Sequence, residues 1–173
     1  MATILGIDPG SRSTGYGIIN ASGNRLTFVG CGNIATVSKL LPQRLQEIFN
    51  SLSEVIETYC PQQAAIEEVF MGRNAGAALK LGQARGAAVV ACLHHGVEVE
   101  EYSARKVKKA LVGRGAADKQ QVQHMVSAIL GLQEPLQEDA ADALAVAICH
   151  ANTQAGLIRM AGARSFSKSR LRP

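Results

Sequence analysis

The chain has 173 residues, 47% of them hydrophobic, which is enough for one domain with a real core and leaves no run near the roughly 20 apolar residues of a membrane span. The start after Met1 does not resemble a secretory signal, and four cysteines without a CxxC pair argue against a disulfide or zinc framework. The net charge of +4 excludes little, and we predict a cytoplasmic protein that does not associate with membranes.

Hydrophobic periodicity divides the chain into strands and helices. Apolar runs bounded by turn residues predict strands at 3–7, 15–19, 26–29 with a possible extension to 34, 64–70 and 97–102. Patterns with a period of three or four predict helices at 41–59, 75–93, 104–111, 119–130 and from about 139 toward 150. The order predicts an α/β fold with a five-stranded mixed sheet, three antiparallel strands followed by parallel ones, and helices on both faces.

Two basic segments account for the positive charge. Five lysines or arginines and no acid lie between Arg159 and Pro173, and a second cluster lies between Arg105 and Lys119. Such clusters attract a polyanion, although a solvated face or a disordered tail gives the same pattern. We expect one folded domain at 1–157 and a basic, flexible tail at 158–173.

Acidic residues fall on three predicted elements that can converge. Asp8 ends the first strand, Glu67 lies in the fourth, and Asp139 and Asp142 share one face of the last helix. Clustered carboxylates repel one another unless cations join them, so this pattern predicts a magnesium site. Spacing alone does not choose between Glu67 and Glu68, which point to opposite faces of their strand, and Asp139 could simply cap its helix.

The motifs around these acids closely resemble the RuvC family of bacterial Holliday-junction resolvases. The matching segments are GIDPGS at 6–11, GYG at 15–17, AIEEVF at 65–70, LKLGQARG at 79–86 and DAADALA at 139–145. The resemblance extends from Met1 to about His150 and implies an RNase H-like nuclease domain. It also implies that Asp8, Glu67, Asp139 and Asp142 are the catalytic, metal-binding quartet, which selects Glu67 over Glu68.

The same resemblance implies a reaction and partners. A homodimer would resolve four-way DNA junctions by paired symmetric nicks in homologous recombination and DNA repair, leaving 5′-phosphate and 3′-hydroxyl ends. Two Mg²⁺ ions per active site, replaceable by Mn²⁺, would clamp the attacking and leaving oxygens. Family members act with the branch-migration proteins RuvA and RuvB, which are therefore expected partners.

Several residues outside the quartet match positions that contact DNA in the family. Lys119 matches a catalytic lysine near the scissile phosphate, and Lys108 matches a position that binds the backbone. Phe70 matches an aromatic residue that stacks on an unpaired base. The remaining expected DNA contacts are Arg73, Asn74 and Arg105. For the lysines a solvated helix surface is the alternative, and for Phe70 a place in the core at the strand end.

Other interpretations remain open at this stage. Gly82 and Gly86 on the long helix would allow close approach of either the sheet or a second subunit. The Asp8–Ser11 motif also resembles the phosphate loop of sugar-kinase and actin-like ATPases, which need a second domain. A non-catalytic junction-binding protein and a nuclease acting on RNA–DNA hybrids are the other two alternatives.

Overall fold

The computed structural model describes residues 1–69 and 74–169, with side chains described as far as Met160. Its strands are β1 (Ala2–Asp8), β2 (Ser13–Ser22), β3 (Arg25–Ala35), β4 (Gln63–Glu67) and β5 (Val99–Tyr102). Its helices are α1 (Leu41–Tyr59), α2 (Ala75–His94), α3 (Ala104–Val112), α4 (Lys119–Leu130) and α5 (Glu138–Ser169). All ten predicted elements are found, in the predicted order.

The strands form one mixed sheet in the order β3-β2-β1-β4-β5. The first three pair antiparallel as a meander, whereas β4 joins β1 and β5 joins β4 in parallel. The crossover through α1 makes β1 and β4 neighbours whose carboxyl ends meet at the same edge of the sheet. This arrangement confirms the predicted five-stranded mixed sheet.

Helices cover both faces of the sheet, as predicted, and the alternation of side chains along β1 separates the two cores. Leu5 and Ile7 pack in a core with residues of α1 and α2, whereas Ile4 packs in a second core with residues of α3, α4 and α5. Helix α5 is buried almost continuously from Ala140 to Ala151, which makes it the central helix of its layer.

Glycines in β1 and β2 allow α5 to lie unusually close to the sheet. A Cβ atom added to Gly6 would lie 2.1 Å from the carbonyl oxygen of Ala143, and one added to Gly15 would lie 2.0 Å from that of Asp139. Neither distance is possible for a real side chain, so only glycine fits. The close packing brings the first turn of α5 to the carboxyl end of β1.

Several strands and helices have other bounds than predicted, and two of these differences affect the site and the domain division. Strand β4 stops at Glu67 rather than at residue 70, because its last partner in β5 is Tyr102. Helix α5 continues to Ser169, well past His150, since no proline interrupts it before Pro173. The predicted boundary after residue 157 therefore falls within a helix, and the division into domain and tail stays a prediction.

Two further observations concern the described residues alone. None of the helices in the ranges given above is long and apolar enough to cross a lipid bilayer. All four cysteines lie in these ranges, and each is a free thiol.

Candidate active site

The carboxyl ends of β1 and β4 place two of the predicted acids side by side. Ile7 pairs with Ile66 in the parallel register, so Asp8 and Glu67 follow on adjacent strands. The first two turns of α5 carry Asp139 and Asp142 to the same edge. The charge of each of the other three carboxylates raises the pKa of Asp8, so the four share one electrostatic environment.

Alternation along β4 shows why Glu67, and not Glu68, joins Asp8. Ala65 packs in the core beneath α5, and Glu67, two residues later, points to that same face. Glu67 lines a cleft of about 200 Å³ together with Asp142. Glu68 lines a hollow beside α2 and a second hollow that it shares with Asp8 and Glu67. The charge that raises the pKa of Asp8 from this strand is that of Glu67, which favours Glu67 as the member of the site.

Burial and mutual repulsion keep the site from carrying its full negative charge. Burial, followed by the charges of Glu67, Asp142 and Asp139, raises the pKa of Asp8 from 3.8 to about 7. Burial and the charge of Asp142 raise the pKa of Glu67 as well, although Lys108 and Lys119 oppose this. The metal-free site therefore holds a proton near neutral pH, and a cation entering it would displace that proton.

The chemistry of the donors fits hard divalent cations, because the quartet offers carboxylate oxygens only. Among the described residues, however, no three acidic, histidine or cysteine side chains stand close enough to hold one ion together as they are placed. The raised pKa of Asp8 points the other way, since it records carboxylates close enough to repel. Small side-chain rotations would close a coordination shell around carboxylates that already share one electrostatic environment.

Lys119, the first residue of α4, supplies positive charge at the edge of the quartet. Its Nζ lies 2.8 Å from Oδ2 of Asp142 and also pairs with the carboxylate of Glu138. Partial burial lowers the pKa of Lys119, but its bonds to Asp142 and Glu138 outweigh this and raise it overall. Lys119 is thus a permanent cation beside the acids.

Glu138 was not among the predicted site residues, although the sequence held a signal for it. It lies four residues before Asp142 on α5, and residues four apart share a helix face. A carboxylate at that position shares the lysine with Asp142. It therefore competes for Lys119 in the metal-free protein.

Ser13 and Asn33 are two further site residues that sequence reasoning missed. The Ser13 hydroxyl, at the start of β2, donates a hydrogen bond to Oδ2 of Asp139. The side-chain amide of Asn33, on β3, donates to the Ser13 Oγ at 3.2 Å. No sequence motif marks these contacts, because they depend on the pairing of β2 with β3 and on the closeness of α5.

The other residues predicted to bind DNA divide into three groups. Lys108 lines the same cleft as Glu67, Lys119 and Asp142. Arg105 lines a separate hollow at the start of α3, and the Asn74 Oδ1 caps α2 by accepting a hydrogen bond from the Ala77 nitrogen at 3.0 Å. Phe70 and Arg73 lie outside the described residues.

Comparison with known proteins gives a consistent result. The family model described as "Crossover junction endodeoxyribonuclease RuvC" matches residues 4–150. The RuvC of Teredinibacter turnerae is 61% identical over 98% of this chain and 99% of its own length, and that of Saccharophagus degradans is 58% identical over 99% of each. A solved structure, "T. thermophilus RuvC in complex with Holliday junction substrate", matches with a TM-score of 0.84 and 34% identity, over 90% of this chain and 96% of that one.

These matches confirm the RNase H-like fold and the enzyme class that the sequence motifs predicted. They span nearly the whole chain, and they include the elements that carry all four acids. The chain therefore belongs to the RuvC family of crossover junction endodeoxyribonucleases.

Proposed function

We propose that this endonuclease resolves four-way DNA junctions with two Mg²⁺ ions held by Asp8, Glu67, Asp139 and Asp142. The observation that carries the proposal is the meeting of these four carboxylates at one edge of the sheet, with a pKa of about 7 for Asp8. RuvC nucleases depend on a metal ion, and a site built from carboxylates alone favours magnesium, with manganese as a substitute. The products would carry 5′-phosphate and 3′-hydroxyl ends.

The metal ions, when bound, would activate water as the nucleophile and stabilise the departing 3′ oxygen. The protein's own contribution is the placement of its charges. Four carboxylates balance two divalent cations, so the loaded site would be neutral before the phosphate enters. The cleft that Glu67 and Asp142 line has a volume of about 200 Å³.

Lys119 is proposed to act as a catalytic cation. In the metal-free protein it is held by Asp142 and Glu138, and a metal ion on Asp142 would release it toward the scissile phosphate. A cation at that position stabilises negative charge that grows in the transition state. Its raised pKa keeps it charged at neutral pH.

The DNA backbone is proposed to run along the basic side of the cleft. Lys108 and Lys119 line the cleft, and Arg105 lies on the same helix as Lys108 with its side chain exposed. The Oδ1 of Asn74 caps α2, and its Nδ2 would donate a hydrogen bond to a phosphate. Phe70, as the base-stacking residue, and Arg73, as a phosphate contact, remain proposals that the family resemblance alone supports.

A homodimer is proposed because one face of α2 is apolar and uncovered. Leu79, Val90 and Leu93 are 71%, 56% and 57% exposed, and Gly82 and Gly86 lie between them at helical spacing. A Cβ added to either glycine would meet no atom of the described residues within 4 Å, so the sheet is not what these glycines accommodate. A second subunit on this face, called here the α2 stripe, would match the two-fold symmetry of a four-way junction.

The remaining predictions rest on the family resemblance and on composition. We propose a cytoplasmic location, a nuclease domain at 1–157 with a basic tail at 158–173, and cooperation with RuvA and RuvB. The tail's five basic residues would add affinity for DNA without choosing a sequence.

A substrate panel tests the proposal. Labelled four-way junction, linear duplex and RNA–DNA hybrid are incubated with the protein, with and without Mg²⁺, and the Asp8→Asn variant serves as the control. The expected result is paired nicks in the junction alone, at opposing strands, only with metal and only with Asp8 present. Products that religate directly would confirm the 5′-phosphate and 3′-hydroxyl ends.

Cleavage of the hybrid with no cleavage of the junction would overturn the proposal in favour of a ribonuclease. Junction binding without any nicking in Mg²⁺ or Mn²⁺ would instead support a non-catalytic binding protein.

A further inference from the structure

A short chain of hydrogen bonds from two strands reaches the carboxylate of Asp139. Asn33 on β3 donates from its Nδ2 to the Ser13 Oγ at 3.2 Å, and the Ser13 hydroxyl donates to Oδ2 of Asp139. Both bonds join residues distant in sequence, and neither belongs to the sheet's own backbone pairing. These two hydrogen bonds therefore connect α5 to β2 and β3 at the active-site end of the sheet.

The backbone is shaped so that this contact can form. Asn33 pairs with Gly15 across β2 and β3, and Ser13, two residues before Gly15, points to the same face. Gly15 has no side chain, and a Cβ there would lie 2.0 Å from the Asp139 carbonyl oxygen. The missing side chain lets the first turn of α5 descend until Asp139 meets Ser13.

The two hydrogen bonds have a fixed order of donors and acceptors. A serine hydroxyl has a single proton, and an amide NH₂ group can only donate. Because Asn33 donates to the Ser13 oxygen, that proton is directed to Asp139 rather than elsewhere. Donation to the hydroxyl also strengthens its own donation onward, as in other hydrogen-bond chains.

We propose that Ser13 and Asn33 are positioning residues that hold the Asp139 carboxylate in its metal-binding orientation. The hydrogen bonds from Asn33 to Ser13 and from Ser13 to Asp139 are called here the relay. The inference rests on the proposed function, since the relay has this role only if Asp139 binds metal. One oxygen of Asp139 is engaged by Ser13, which fixes the rotation of the group. The ordering that metal binding requires is then already present, and partners behind a metal ligand typically change metal affinity or activity by about 10–100-fold.

The test compares Ser13→Ala, Ser13→Thr and Asn33→Ala with the wild-type protein. Asn20→Ala is the matched control, because Asn20 accepts a side-chain hydrogen bond from Thr3 at 2.8 Å between the same kind of strands, at the other end of the sheet. The first readout is the dissociation constant for Mn²⁺ alone, from titration of free Mn²⁺ by electron paramagnetic resonance. The others are the Tm of the metal-free protein, and kcat and KM for junction cleavage at graded Mg²⁺ concentrations.

Ser13→Ala should weaken Mn²⁺ binding about 10-fold or more and raise the Mg²⁺ concentration for half-maximal cleavage by a similar factor. Saturating metal should restore most of kcat, and KM for the junction should not change. Asn33→Ala should show the same defect, smaller in size. Ser13→Thr retains the hydroxyl and suits a strand, so it should bind Mn²⁺ like the wild type.

Three results would overturn the relay. One is Mn²⁺ binding by Ser13→Ala equal to that of the wild type, and another is an equal defect in Ser13→Thr. The third is a metal-free Tm for Ser13→Ala far below that of Asn20→Ala, which would make the contact one of fold stability. A wild-type protein that neither binds Mn²⁺ nor nicks junctions would sink the proposed function and the relay together, so the two failures are distinguishable.

Discussion

Asp8 links the stability of the protein to the proton that its active site holds. An acid whose folded-state pKa lies above its unfolded value removes stability as the pH rises between the two values. For Asp8 the window runs from 3.8 to about 7. At pH 8 the metal-free enzyme should therefore be less stable than a variant that lacks this carboxyl group.

Replacing Asp8 with asparagine should stabilise the metal-free protein. The gain in free energy of unfolding should grow from about pH 4, level off above about pH 7, and reach about 2–4 kcal/mol, since each pKa unit corresponds to about 1.4 kcal/mol. Urea denaturation in EDTA across this range measures it, with Glu54→Gln on α1 as an exposed control. A gain that did not vary with pH would show that Asp8 is not protonated in the folded state.

Lys119 should affect turnover more than binding. Lys119→Ala should lower kcat for junction cleavage by about 100-fold, the usual scale for losing one transition-state charge partner. Affinity for the junction, measured by fluorescence anisotropy in Ca²⁺, should change far less, because other basic residues still hold the backbone. Lys39→Ala, an exposed lysine in a loop, is the control. Equal losses of kcat and affinity would make Lys119 a binding residue only.

At the scale of residues, the side chains that form the site were predictable from the sequence where they belong to a motif. Carboxylates on three separate elements predicted an acidic site, and the resemblance to the family motifs selected Asp8, Glu67, Asp139 and Asp142 as its members. Glu138 was within reach too, through its four-residue spacing from Asp142. Ser13 was not, because its partner lies 126 residues away and only the packed fold brings them together.

Helix α5 is the element on which the site depends, and glycines set its depth. Gly6→Ala should destabilise the protein by about 1–3 kcal/mol, as overpacking does, because the new Cβ would meet the Ala143 carbonyl. The helix would have to move outward, so cleavage should also fall even where the protein stays folded. Thermal denaturation and junction nicking measure the two effects.

Gly156→Ala, on α5, is the matched control for Gly6→Ala on β1. No atom of the described residues lies within 4 Å of a Cβ at that position, so alanine there should raise stability by up to about 1 kcal/mol through helix propensity. Loss of stability in both variants would indicate that backbone flexibility, and not the clash with α5, explains the effect of Gly6→Ala.

The type of each element, helix or strand, was predictable because hydrophobic periodicity and turn residues mark it. The residues at which the elements end were not predictable. The apolar run predicted β4 as a strand but could not show that β5 stops at Tyr102, which ends the pairing at Glu67. His150 illustrates the same limit. It had no predicted role, yet it is buried and its ring nitrogens bond to the Tyr102 hydroxyl at 2.9 Å and Gln63 Oε1 at 3.1 Å, connecting α5 to both parallel strands.

At the scale of the whole molecule, the open question of the sequence was what the small residues on α2 accommodate. Within the described part of the protomer the α2 stripe faces nothing, although a stripe of apolar side chains is costly to leave in water. The sequence could show the spacing of Gly82 and Gly86 but not which face of α2 the sheet would cover. The fold argues against the sheet as the element that these glycines accommodate, and a second subunit is the proposed occupant.

Placing a charge on the α2 stripe should separate the subunits and uncouple the two nicks. Leu79→Glu should leave the protomer folded, since Leu79 is 71% exposed, but should shift the protein from dimer to monomer at micromolar concentration in sedimentation experiments. On a plasmid carrying an extruded cruciform, the dimer should give linear product from paired nicks. The monomer should give nicked circles, because the second cut would need an independent encounter.

Val37→Glu carries the same charge change at a site that is 89% exposed and is not part of α2, so it controls for repulsion of DNA. Only the variant on the stripe should change both the sedimentation coefficient and the ratio of linear to nicked product. If Leu79→Glu remained dimeric and gave linear DNA as Val37→Glu does, the dimer would have to form through another surface. The pairing of nicks depends on two active sites fixed to one another, so the product ratio reports that coupling directly.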